Sequence, residues 1–113
     1  MTEAEYWPRL ESRVCRELQG MEDRELRSLW CDGFIPEQFL LDAPAPQITG
    51  HAWIGNGTKQ ARWEFTLSLH QMVRTREEIS WAALLPPDEV TGWLAVDVDA
   101  QRLRVTPARA VGG

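Results

Sequence analysis

The sequence predicts an α+β domain: two N-terminal helices and a further short helix packed on antiparallel β-hairpins, in the order ααββαββ. Three observations predict it. Leu10, Val14 and Leu18 recur at i, i+4 and i+8, the stripe of a helix that buries one side. Residues 61–69 alternate strictly between apolar and polar, and Asn56-Gly57 before them is the dipeptide favoured in two-residue type I′ turns. A second alternating stretch, WLAVDVDAQRLRVTP at 93–107, doubles back over its own polar centre. Antiparallel hairpins with helices gathered on one face make a two-layer domain.

The first helix is expected over Trp7–Gln19. Pro8 then falls in the first turn, where its missing N–H costs nothing, and Gly20 closes the C-terminus. TEAE at 2–5 reads as a capping box, but a helix begun at Thr2 would carry Pro8 in its second turn, so the later start is preferred. A second helix is expected over Met21–Cys31. Leu26, Leu29 and Trp30 form its apolar side, Glu22, Asp23 and Glu25 suit its N-terminal dipole, and Gly33 ends it. FIPEQFLLDAPAPQ then reads as one helical turn begun at Pro36, followed by an extended connector through Pro44 and Pro46.

With Asn56-Gly57 as the turn, the first hairpin sets Ala52 opposite Ala61, Gly50 opposite Trp63 and Ile48 opposite Phe65. Its apolar residues then share one face, and Trp63 covers the bare backbone of Gly50. A longer GNGTK loop is the alternative. TREE at 75–78 is a capping box opening a helix of two to three turns through Ile79, Trp81, Ala82 and Leu85, stopped by Pro86-Pro87. PDEVTG reads as a further single turn closed by Gly92. In the second hairpin, a connection at Asp99–Arg102 pairs Val98 with Leu103, Val96 with Val105 and Leu94 with Pro107, and sets Asp97 across from Arg104. Residues 1–107 are read as a single globular domain and 108–113 as a flexible C-terminal tail.

Apolar content of 43% and charged content of 26% argue against disorder. No uncharged run approaches the ~20 apolar residues of a membrane span, and MTEAEYWPRLESR lacks the apolar core of a signal peptide. A cytoplasmic protein is expected. The net charge of −5 repels phosphate backbones, so neither a nucleic acid nor a membrane is an expected partner. Every base but Lys59 is arginine, which suits bidentate contacts to carboxylates or phosphates; a compositional bias of the source genome accounts for it more cheaply. Cys15 and Cys31 match no zinc spacing and are expected as reduced, free thiols.

The outer face of the first hairpin carries Thr49, His51 and Trp53 on one strand. Gln60, Arg62, Glu64, Thr66, Ser68 and His70 lie on the other. In the expected register His51 faces Arg62, with Glu64 on the diagonal. A histidine near a carboxylate can act as a general base, but a facing arginine lowers its pKa and no nucleophile stands beside it. Ser68 and His70 come without an oxyanion-hole motif. An ordinary solvated sheet face accounts for all of these residues, so no catalytic residue is assigned. The two histidines sit at opposite ends of the hairpin, Asp97–Asp99 lacks the spacing of a calcium loop, and no phosphate-loop motif occurs. No metal or cofactor is expected.

Of the six tryptophans, Trp30, Trp63 and Trp81 fall in the apolar phase of their elements and are expected in the core. Trp53 and Trp93 are out of phase. Exposed tryptophan is enriched at binding hot spots, unless the helices cover that side of the sheet. The expected binding surface is therefore His51, Trp53, Arg62, Glu64 and Trp93. The first functional reading is a small acidic, non-enzymatic module acting by protein–protein contact, in the manner of a stoichiometric inhibitor, immunity protein or adaptor. Its acidity would steer it to a basic partner. A second reading is a small-molecule-binding or hydrolytic domain with a Trp-lined pocket, using His51, Glu64 or Asp32 as acid or base. A third is a structural subunit whose tryptophans are buried in a homodimer.

Overall fold

Thr2, not the region of Trp7, opens the first helix. The structure is a computed structural model that describes residues 1–42, 44–69, 71–84 and 94–107, and in it α1 spans Glu3–Gln19. Both arms of the capping box form: the Glu5 N–H donates to Thr2 Oγ1 at 3.4 Å, and the Thr2 N–H to Glu5 Oε2 at 3.3 Å. Pro8 lies inside the helix and forfeits one backbone bond. The cap and the extra turn offset that loss, because the turn delivers Tyr6 and Trp7 into the core. The buried stripe of α1 is Tyr6, Leu10, Val14 and Leu18, each with no exposed surface.

The second helix is far shorter than its apolar spacing suggests. α2 covers Arg24–Arg27 only, capped by Asp23, whose carboxylate accepts from the Glu25 N–H at 2.8 Å. From Trp30 the chain is extended, and Trp30–Leu40 forms β1. This corrects both the helix expected to Cys31 and the helical turn expected at Pro36. Two irregularities, between Cys31 and Phe34 and between Pro36 and Gln38, break the two-residue period that would have marked a strand. Gly33 supplies the first with a φ of +140°. Pro36 is tolerated because β1 is an edge strand, where a missing N–H breaks no internal ladder. Trp30 is 70% exposed at the start of this strand rather than buried on a helix, a further correction.

β2 (Gln47–Gly55) and β3 (Gln60–Ser68) follow, then a 3₁₀ turn (Arg76–Glu78), α3 (Trp81–Leu84), β4 (Leu94–Val98) and β5 (Arg102–Pro107). One five-stranded sheet results, in the order β1-β2-β3-β5-β4. Neighbours are antiparallel except β3 and β5, which run parallel and join the two hairpins into a mixed sheet. The β4–β5 register has Val98 on Leu103, Val96 on Val105, Leu94 on Pro107 and Asp97 on Arg104, as expected. Its turn has positive φ at Ala100 (48°) and Gln101 (64°), the type I′ signature, although neither residue is glycine.

The Asn56-Gly57 hairpin instead closes through a wider loop, with the Asn56 N–H donating to the Lys59 carbonyl at 3.1 Å. Ile54 pairs with Ala61, Ala52 with Trp63, Gly50 with Phe65 and Ile48 with Leu67. The two-residue shift leaves every side chain on its expected face, because strand periodicity is two. Phe65, not Trp63, is the ring that covers Gly50.

The helix expected after TREE is also broken. Ile79 adopts an extended conformation between the 3₁₀ turn and α3. The Glu78 carboxylate accepts from the N–H groups of Arg74 (2.6 Å) and Thr75 (3.3 Å). Arg76 pairs with Glu3 and stacks 4.4 Å over the Phe39 ring, binding the turn to α1 and β1. Leu85, the Pro86-Pro87 stop, the PDEVTG turn, Trp93, His70 and the tail at 108–113 lie outside the described residues.

α1 and α3 meet on one face of the sheet, where Trp81 packs on Tyr6 (4.9 Å between centroids) and on Trp7 (5.6 Å). Trp7 and Phe34 in turn contact Phe65 at 5.8 and 5.1 Å. Among the described residues no helix is long and apolar enough to cross a membrane. None lies over the opposite face of the sheet.

Candidate functional site

The open face is built by the outward-pointing residues of successive strands. β2 contributes Thr49, His51 and Trp53, and β3 contributes Arg62, Glu64 and Thr66. The shifted register puts His51 directly across from Glu64 and Trp53 across from Arg62. That corrects the expected facing of His51 and Arg62, which are now diagonal neighbours. β1 adds Ile35 beside His51, and Glu37 beyond it. β5 adds Arg102 next to Glu64 and Arg104 next to Thr66.

Glu37 is the hub of this face, and sequence reasoning missed it because β1 was missed. Its Oε1 lies 2.8 Å from His51 Nδ1 and 3.2 Å from Arg62 Nη2. The 2.8 Å contact requires a proton on Nδ1, so the 3.4 Å approach of Arg62 Nη2 to the same nitrogen is proximity rather than a second bond. In the neutral tautomer this leaves Nε2 as the basic nitrogen. The His51 hydrogen bond, helped by Arg62, holds the Glu37 carboxyl below the usual carboxylate range. Trp53 stands edge-on to His51, with ring centroids 6.1 Å apart and planes at 86°. Arg102 and Glu64 approach to 3.9 Å but are both well exposed, so this pair contributes little.

The apolar part of the face lies at its β1–β2 side. Ile35 is 48% exposed and Trp53 40%, with Trp30 at the near end of β1. Asp32, on β1, accepts from Gln60 Nε2 at 3.2 Å and so is engaged away from His51. Shallow clefts towards β3 and β5 have volumes of about 520 and 310 Å³. Their linings are polar, chiefly Glu37, Thr49, Arg62 and Glu64 in the first and Glu64, Asp97, Asp99 and Arg104 in the second. Among the described residues no tryptophan lines either one. Among the described residues no three His, Cys, Asp or Glu side chains are grouped to hold a metal.

Of the residues expected at the site, His51, Trp53, Arg62 and Glu64 do share one surface; Trp93 lies outside the described residues. The signal for Glu37 was present in the sequence. A proline within an aromatic and β-branched run after Gly33 fits an edge strand as well as it fits a helix start.

The Glu37 contacts have a pH signature. A depressed carboxyl contributes stability above the ordinary glutamate pKa and loses it as pH falls through the lower folded value. Glu37→Gln should therefore be less stable than the wild type at pH 7, with a smaller difference at about pH 3, because protonation of Glu37 removes the advantage of its contacts. Urea melts at the two pH values measure it; a difference that widens in acid would contradict the assignment.

In chemical terms the surface offers an ordered histidine and a fixed arginine beside exposed aromatic and aliphatic groups, and among the described residues no nucleophile is bonded to His51. Comparison with protein-family models, curated proteins and solved structures found no match to this chain.

Proposed function

We propose that the protein is a cytoplasmic binding module that acts by stoichiometric contact with another protein, through the open sheet face around Trp53. The observation that carries this reading is the state of Trp53: a large ring, 40% exposed, yet held edge-on by a histidine that is itself anchored through Glu37. A pre-ordered aromatic loses little conformational freedom on binding, which is what distinguishes a hot spot from a merely exposed side chain. Ile35 and Trp30 extend the apolar contact, while Arg62 and Glu64 offer a polar rim. The net charge of −5 favours a basic partner by speeding encounter. The hydrolytic reading draws no support from the clefts on this face, whose linings among the described residues are polar and hold no tryptophan.

Trp53→Ala should leave stability within about 1 kcal/mol of wild type and weaken the native complex by ~2 kcal/mol or more, some thirtyfold in Kd. Denaturant melts give the first quantity. Titration of the partner, captured from the native host and then purified, gives the second. Unchanged affinity for that partner would remove Trp53 from the interface. Sedimentation of the purified chain tests whether a second copy occupies the face instead.

A further inference from the structure

Away from the open face, where α1 meets the start of β1, the two cysteines that zinc spacing and redox compartment left as inert thiols form a contact pair. Cys15 is half-buried on α1 and Cys31 is 6% exposed on β1. The Cys31 N–H donates to Cys15 Sγ at 2.9 Å, and the Cys15 sulfur lies 3.8 Å from the Cys31 carbonyl oxygen, so the two residues are in direct contact. A backbone N–H directed at a sulfur stabilises the thiolate of the residue that receives it. The pair is asymmetric, because the sulfur that accepts the backbone bond is also the one with access to solvent.

We propose that Cys15 is a nucleophilic thiol that reacts with hydroperoxides, and that Cys31 is its resolving partner. In the first step the Cys15 thiolate attacks one peroxide oxygen. The S–O bond forms and the O–O bond breaks. The leaving alkoxide takes up a proton, giving an alcohol, or water from hydrogen peroxide, and a sulfenic acid at Cys15. In the second step the Cys31 sulfur attacks the Cys15 sulfur. The S–S bond forms, the S–O bond breaks, and the hydroxide leaves as water with the Cys31 proton. Two electrons pass from the thiol pair to the peroxide, and the product disulfide ties α1 to β1.

The Cys31 hydrogen bonds hold the Cys15 thiol below the ordinary thiol range, although its partial burial and the Glu11 carboxylate oppose them. The same contact pushes the Cys31 thiol up, which keeps it protonated until Cys15 has reacted. The charged group that acts on both thiols is an acid, Glu11 on α1. The depression at Cys15 therefore rests on the Cys31 donors rather than on a nearby base.

The test uses the folded chain, reduced and then freed of reductant. Its alkylation rate by iodoacetamide should titrate with an apparent pKa below the ~8.5 of free cysteine, with label on Cys15 alone. Dilute hydrogen peroxide should remove both thiols and the mass of two hydrogens. In Cys31→Ser, dimedone should trap a sulfenic acid at Cys15; Cys15→Ser should give neither product. An ordinary thiol pKa at Cys15, or native thiols that survive peroxide as well as free cysteine does, would overturn the proposal. Should either variant fail to fold, the wild-type titration and mass change decide alone.

Discussion

Trp63→Ala is expected to lose roughly 3–5 kcal/mol, the range for truncating a buried aromatic. For a domain of this size that is a large share of total stability. Trp63 is 8% exposed on the inward face of β3, paired with Ala52 on β2. Its neighbours cannot close the gap cheaply. Ala52 is small, and the flanking Ile54 and Phe65 are already fully packed. Guanidinium melts monitored by far-UV circular dichroism measure the loss. A cost below about 1 kcal/mol, the range of an exposed position, would mean that the ring does not belong to the core and that the two faces of the sheet have been misassigned.

Gly50→Ala should be comparably severe, about 3 kcal/mol or more, for the opposite reason. A Cβ at Gly50 would stand 2.0 Å from the Ile35 carbonyl oxygen, 2.9 Å from Pro36 Cα and 2.8 Å from Phe65 Cε1. Two of these are backbone atoms of the neighbouring strand, so relief requires β1 to separate from β2. Gly57→Ala is the control. It has open space around it but a φ of +96°, so its cost is limited to backbone strain, about 1–2 kcal/mol. If Gly50→Ala proved the milder of the two in equilibrium melts, β1 would not pack on β2 as described. Glu37 would then lose its place beside His51.

How much of this was legible in the sequence depended on whether a signal was local. The β4–β5 pairing could be read residue by residue, because period-two alternation and a short polar turn fix the register between adjacent strands. The β2–β3 pairing was displaced by two residues, since Asn56-Gly57 favours a tight turn that the Lys59 closure overrides. Its faces survived because the displacement was even, and so His51, Trp53, Arg62 and Glu64 were assigned to one surface correctly. β1 was not legible by periodicity. Its first irregularity spaces Cys31 and Phe34 three apart, which imitates a helix, and only pairing with β2 makes the segment a strand. Glu37 disappeared with it, and the His51 environment was accordingly read as a bare facing arginine. Pro8 misled in the other direction: a local penalty was outweighed by a cap and by the tertiary burial of Tyr6 and Trp7. The parallel β3–β5 junction is a non-local pairing for which the sequence carries no turn signal.

The central claim is that the sheet face around Trp53, rather than the helical side, meets the partner. Its most direct test is site-specific photo-crosslinking in the native host, with a photoreactive phenylalanine analogue placed at Trp53 in one strain and at Arg9, exposed on α1, in another. The aromatic analogue preserves ring character at position 53. A discrete crosslinked species of constant mass from position 53, absent from position 9, is the predicted result. Crosslinking from position 9 alone, or no species that distinguishes position 53, would contradict the account.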